Sequence, residues 1–460
     1  MALPNSTPYQ ASNAYWSERQ AVVHPACFVT PQNTADVATA VKILTKLQER
    51  FAVKGGGHAA FPGASNVDKG VTIDLRHLND IKVSTDRKTV SVGPGNRWVD
   101  VSNVLDPLGL AVVGGRVSDV GVGGLILGGG ISFFSGKRGW ACDNVRNFEI
   151  VLSSGKIVNA SPTVNKDLFW ALRGGAGTNF GVVTRFDLAS FDQGNMWYRS
   201  LILPGALNAT VIDLFQNFAV NGLTADPDAH SWFLLAHVPS FGGYIVLNDQ
   251  FHPTPPPQNT VPPVFTPFNS LPTIVSTTVV SNISAIVSTN NSPYGAQQIW
   301  MNTAVSATSP TLFKEIVPLF EAYVSTIVAK SNGSEITPAL ILQPIGTKAL
   351  SAMQVNGGNA LGLTPSDGPL MIVQLSVTWA DGGLNAVVEK ETKALLEKIK
   401  SLAKKKGADN GYVYMNYAEP SQDVFGSYGK ASLDRLRRVA KQYDPEGALA
   451  KLWKGYFKLN

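Results

Sequence analysis

The chain has 460 residues, of which 44% are hydrophobic and 15% charged. That length leaves room for two or three domains of ~100–200 residues each, and this hydrophobicity with a net charge of only +5 excludes global disorder. The one dense basic run, Lys404-Lys405-Lys406, closes a helix where cations suit the dipole, so nothing points to nucleic acid, and no apolar run reaches the ~18 residues of a membrane span.

Two cysteines, Cys27 and Cys142, exclude a disulfide-rich scaffold and a Cys-based zinc centre, and no metal site is expected. One disulfide and two buried thiols both remain open. The opening Met1-Ala2-Leu3-Pro4 has neither the basic start nor the apolar middle of a signal peptide. The expectation is an intracellular protein, or a secreted one whose leader is absent from this chain. Glycosylation sequons begin at Asn5, Asn159, Asn208, Asn282, Asn290 and Asn332.

The first predicted helix is capped by Thr34 and carries Val37, Ala40, Val41, Leu44 and Leu47 at helical spacing. A short strand, Phe51-Ala52-Val53, breaks into Lys54-Gly55-Gly56-Gly57-His58. Strands over 71–75 and 89–92 follow, the second ended by Gly93-Pro94-Gly95. From about 191 to 410 the chain is richer in Val, Ile, Thr and Ser and carries a Pro-rich loop at 253–267. Segments such as 243–247 and 370–375 read as strands of an antiparallel sheet with helices flanking it. The clearest helix holds Leu384, Val388, Leu395, Ile399 and Leu402 on one face. The last fifty residues read as a strand over 411–416, a loop, and a helix through Leu433, Leu436 and Val439 that stops at Asp444-Pro445.

Glycine is dense in three stretches, 55–57, 114–130 and 174–181. Glycine at this density lets backbone N–H groups crowd an anion with no Cβ in the way. The three clusters beside strand-like sequence point to a cradle for a phosphate-bearing cofactor. The common nucleotide signatures fail. Gly121, Gly123 and Gly124 do not have dinucleotide-fold spacing, and Gly130 to Gly136-Lys137-Arg138 has one residue too many for a P-loop and Arg where the hydroxyl belongs. His58, at the lip of the first glycine run, could touch whatever the loop holds.

Lys54-Gly55-Gly56-Gly57-His58 with Val71-Thr72-Ile73-Asp74-Leu75 resembles the first flavin-binding loop of the vanillyl-alcohol-oxidase superfamily, and within it the berberine-bridge-enzyme-like FAD-linked oxidases in their fungal form. The resemblance extends through Val120-Gly121-Val122-Gly123-Gly124, Gly128-Gly129-Gly130, Asp167-Leu168-Phe169-Trp170 and Asn179-Phe180-Gly181-Val182-Val183. It resumes at Tyr414-Met415-Asn416-Tyr417 and Gln422-Asp423. It implies an α+β fold with a two-part FAD-binding domain, residues 1–190 and 411–460. A substrate domain, 191–410, built on an antiparallel sheet flanked by helices, is inserted between the parts.

The resemblance further implies FAD bonded through His58. Lys54, Gly55, Gly56, Gly57, Ser118, Val120, Gly121, Gly123, Gly124, Gly128, Val183 and Asn416 are then the cofactor-binding candidates. Many relatives, the oligosaccharide oxidases among them, form a second flavin bond from a Cys three residues before the Val-Gly-Val-Gly-Gly run. Val117 stands there in this chain, so a single covalent link is expected. Val120 occupies the position of the small residue that lets O2 reach the flavin. Tyr417 is the candidate base, usable near neutral pH if a cation or oriented donor stabilises its phenolate, with Asn416 orienting a polar group. Trp300, Gln343, Gln374 and Trp379 are the substrate-binding candidates. The expected activity is oxidation of a small alcohol, amine or phenolic molecule of secondary metabolism by a monomer, using O2. A carbohydrate oxidase and a non-redox cyclase or binding protein with structural FAD are the alternatives.

Overall fold

The computed structural model describes residues 1–291 and 294–459; the serine of the Asn290 sequon lies outside the described residues. Three sheets organise the chain. The first is parallel, β1 (Cys27–Val29), β2 (Phe51–Lys54) and β3 (Val71–Asp74), in the order β1-β3-β2. Its crossover helix α1 (Thr34–Leu47) buries Val37, Val41 and Leu44. The cap lies one residue before the expected Thr34. Asn33 accepts from the Asp36 N–H at 2.9 Å, while the Thr34 hydroxyl donates to Glu149 at 2.8 Å.

The second sheet is formed by β4 (Ile81–Val83), β5 (Thr89–Val92), β6 (Leu110–Val112), β7 (Val145–Val151), β8 (Ile157–Ala160) and β9 (Val182–Asp192). The long β9 pairs with β5, β6 and β7. A short helix, α2 (Val122–Leu127), starts in the second glycine stretch.

The third sheet is antiparallel throughout and has seven strands. They are β10 (Met196–Pro204), β11 (His230–Val238), β12 (Gly243–His252), β13 (Val275–Ser281), β14 (Gln297–Ser306), β15 (Ile336–Ile345) and β16 (Leu370–Trp379). Their order is β13-β10-β12-β11-β15-β16-β14. Side chains alternate between the two faces. Phe233, Leu235, Leu340, Leu342, Val373 and Leu375 point to one face and join the core formed with α3 (Leu312–Lys330) and α4 (Asn385–Lys405). Trp232, Leu234, Ile341, Gln343 and Gln374 point to the other.

The expected strand over 411–416 does not form. The chain there is irregular, and a single 3₁₀ turn covers Met415–Tyr417. Side chains replace the ladder. The Asn302 amide accepts from Tyr414 N–H at 2.8 Å and donates to Tyr414 C=O at 3.0 Å. The Gln422 amide caps the main chain of Asn302 in the same way, donating to its C=O at 2.7 Å. The helix α5 (Lys430–Tyr443) follows expectation, and a short helical turn over Ala448–Leu452 comes after it. The C-terminal segment packs back on the first sheets, with Trp453 bridged to Phe51 and Thr178 donating to Phe457 C=O at 3.0 Å. Cys27 and Cys142 are both free thiols.

Trp379 belongs to the core. It lies five residues after Gln374, an odd number, so it faces α4, where its indole N–H donates to Asn385 at 3.0 Å. Trp379→Ala is expected to cost about 3–5 kcal/mol of stability through cavity formation, read as a lowered melting temperature, with cofactor content of the folded fraction unchanged.

Candidate active site

One cavity of about 360 Å³ lies between the glycine stretches and the open face of the seven-stranded sheet. All three glycine clusters reach it. At its floor the backbones of Gly56 and Gly121 touch. A Cβ on Gly56 would lie 2.5 Å from Gly121 Cα, and one on Gly121 would lie 2.5 Å from Gly56 N. No side chain fits either position. The N–H groups of Gly56, Gly57 and Ala59 have no hydrogen-bond partner among the described residues. Unpartnered N–H groups in a glycine run form a nest suited to a phosphate.

His58 borders this nest. Its ring stacks on Trp16 with centroids 4.2 Å apart and planes 9° apart, and its Nε2 is buried without a partner. Desolvation pulls the imidazole down to about 4, so it is neutral at physiological pH and keeps a free lone pair. Gly55, Val120, Gly123, Gly124 and Val183 line the cavity as well.

Three cofactor candidates lie elsewhere. Lys54 points away from the cavity, donating to Ser12 C=O at 2.6 Å and Ala14 C=O at 2.9 Å, and burial lowers its ammonium to about 8. It props the loop from behind. Gly57, at φ +67, leaves the space that its Cε needs. Ser118 is buried outside the cavity lining, its main chain tied to Val287 and Val99. Gly128 makes room for Asn416, whose Oδ1 would lie 2.1 Å from a Cβ there.

The opposite wall carries a polar cluster. Arg116, from the loop ahead of Gly121, donates to Tyr417 Oη at 2.6 Å and to Gln343 Oε1 at 2.8 Å. It also meets His230 Nε2 at 2.9 Å. Burial and the nearby guanidinium push His230 well below its usual range, so its neutral ring accepts this hydrogen bond. Tyr417 Oη lies 3.3 Å from Gln343 Oε1, and Gln343 donates onward to Gln374 at 2.9 Å. Trp300 packs edge-on against Tyr417, and Trp232 lies under the Arg116 guanidinium at 5.1 Å. Tyr417, Gln343, Gln374 and Trp300 are therefore brought together, and Trp379 is not. Asn416 lines the cavity, but its amide is engaged by protein: it donates to Leu125 C=O and Tyr414 Oη, both at 3.0 Å, and accepts from Tyr456 at 3.1 Å.

Arg116, His230 and Trp232 carry no motif spacing, and the sequence reading missed them. Arg116 sits next to Val117, inside the second glycine stretch, and a lone cation among glycines was the available signal.

An FAD binding domain family matches residues 25–161. An FAD-dependent monooxygenase, tpcD, from Cochliobolus heterostrophus is 37% identical over 461 residues, covering 98% of this chain and 88% of the relative. The FAD-dependent monooxygenase FUP4 of Fusarium proliferatum is 36% identical over 466 residues with the same coverage. This chain belongs to that family of FAD-dependent oxidoreductases. Its fold is shared with berberine-bridge-enzyme-like 1 of Physcomitrella patens (TM-score 0.78, 21% identity, 100% of this chain and 96% of that one). It is shared equally with 6-hydroxy-D-nicotine oxidase of Arthrobacter nicotinovorans (TM-score 0.79, 20% identity, 100% and 97%). The family's cofactor is FAD.

The glycine contact generates a direct test. Gly56→Ala and Gly121→Ala each force the two backbones apart, so both variants are expected to purify with less than about a tenth of wild-type FAD, measured by absorbance per chain. Gly124→Ala, where nothing lies within 4 Å of the added methyl, should retain the protein fold on circular dichroism.

Proposed function

We propose that the protein is an FAD-dependent oxidase that removes hydride from a small alcohol, amine or phenolic molecule, with O2 as second substrate and H2O2 as product. In this reading residues 1–190 and 411–460 hold the cofactor and 191–410 the substrate. When bound, FAD accepts the hydride at N5 and passes the electrons to O2. Gly55, Gly56 and Gly57 offer N–H groups to the pyrophosphate. Gly121, Gly123 and Gly124 lie against the other side, and Val183 packs at the adenine end. His58 is the single attachment point, because its neutral ring keeps the lone pair that bonding requires and Val117 cannot form a second bond. Val120 leaves a path for O2.

The observation that carries this reading is the 2.6 Å hydrogen bond from Arg116 to Tyr417. A tyrosine that takes a substrate proton needs a cation beside its oxygen. Arg116 is that cation, placed to stabilise negative charge that develops on Oη during the reaction. The Tyr417 hydroxyl donates to Gln343 Oε1. Asn416 holds the turn that carries Tyr417, since its amide is engaged by Leu125, Tyr414 and Tyr456. Aromatic walls keep water from the reacting carbon.

A second reading is supported by the relatives' names, FAD-dependent monooxygenase. Turnover under isotopically labelled O2 separates the two. An oxidase releases one H2O2 per product and leaves no label in it, whereas a monooxygenase labels the product.

With a substrate found by screening for peroxide release, Tyr417→Phe should lower kcat at least ~100-fold with FAD content unchanged. An unchanged kcat would remove Tyr417 from the chemistry. Because His58 is lowered to about 4, FAD attachment to apoprotein should proceed at one rate from about pH 5.5 to 8. An imidazole with the ordinary value of 6.5 would instead lose its lone pair to a proton, and slow, below about pH 6.5.

A further inference from the structure

The guanidinium of Arg116 has no carboxylate partner. Its acceptors are a phenol, an amide and a neutral imidazole, and its face lies on the Trp232 ring. No Asp or Glu lies within ion-pair distance of it among the described residues. Three contacts leave part of its five-donor fork without a protein acceptor, and the side chain borders the cavity. A permanent cation at an apolar wall, with donors to spare and no counter-charge, is suited to an anionic ligand group. The walls beside it are flat and apolar: Trp232, Trp300, Leu234 and Ile341.

We propose that Arg116 anchors the substrate, and that the substrate is an aromatic molecule carrying an ionised oxygen, a carboxylate or a phenolate, on its ring. This deepens the oxidase reading and rests on it for the word substrate. His230 and Gln343 hold the guanidinium from the sheet side, so the fork is positioned before the ligand arrives. The ring packs on the apolar wall that Trp232, Trp300, Leu234 and Ile341 form beside the guanidinium. A neutral ligand leaves the cation uncompensated, and a sugar offers neither a flat ring nor a charge.

The test is equilibrium binding to the holoenzyme as purified, by calorimetry. The probes are 2-naphthoate against 2-naphthamide for a carboxylate, and 2,4-dinitrophenolate against 2,4-dinitroaniline for a phenolate. At least one anion is expected to bind ten-fold or more tighter than its neutral partner, and which pair shows it identifies the group. Arg116→Gln should abolish that preference while the neutral probe binds as before. Should Arg116→Gln not melt cooperatively, Arg116→Met, whose stem still packs on Trp232, carries the same comparison. Equal binding of anion and neutral partner in wild type, a preference that survives loss of the guanidinium, or no saturable binding of either anion overturns the proposal. Binding needs no electron transfer. A protein that prefers the anions but never yields peroxide would sink the oxidase reading and leave the anchor standing.

Discussion

The contact between Gly56 and Gly121 is the constraint around which the cofactor site is built. Two backbone segments from distant parts of the chain meet with no side chain between them. The first glycine run beside this contact keeps N–H groups with no partner among the described residues. Such donors lining a cavity suit an anionic ligand group. Lys54 supports the loop from behind through the N-terminal segment, and His58 ends it with an unpartnered nitrogen.

The opposite wall follows from the two-residue period of a strand. On β11, β15 and β16 one set of side chains enters the core against α3 and α4, and the alternate set roofs the cavity. The roof is apolar apart from the two glutamines, which turn toward each other and toward Arg116. The segment bearing Tyr417 closes the remaining side. It is not a strand: the Asn302 side chain satisfies the Tyr414 backbone, Gln422 in turn caps the Asn302 main chain, and the segment turns tightly at Met415–Tyr417. A regular strand would alternate Asn416 and Tyr417 to opposite faces. The turn presents both to the cavity.

Local features were legible in the sequence. The glycine runs, His58 at their edge, and the antiparallel character of the middle segment all follow from residue type and spacing. The polar cluster was legible only in part. Gln343, Gln374 and Trp300 were visible as polar or aromatic residues on apolar strands. Parity along β16 separates Gln374 from Trp379 once the strand is known to run unbroken to Trp379. Arg116, His230 and Trp232 were not legible, since Arg116 meets Tyr417, His230 and Trp232 across more than a hundred residues of chain. The irregular course of 411–416 was hidden for the same reason. Its aromatic composition suits a strand, and only the distant Asn302 makes a turn the better solution. Lys54 and Ser118 lie beside glycine motifs, yet their side chains point away from the cavity, a direction that neighbourhood in sequence does not set.

The account stands on His58 and its loop forming a covalent flavin site. Intact mass of the acid-denatured protein measures this most directly. The account predicts a chain heavier by one FAD, with the visible absorption of a flavin, and a bare chain mass for His58→Ala. A wild-type protein that denatures to its bare mass, or a His58→Ala variant that keeps the added mass, would contradict it.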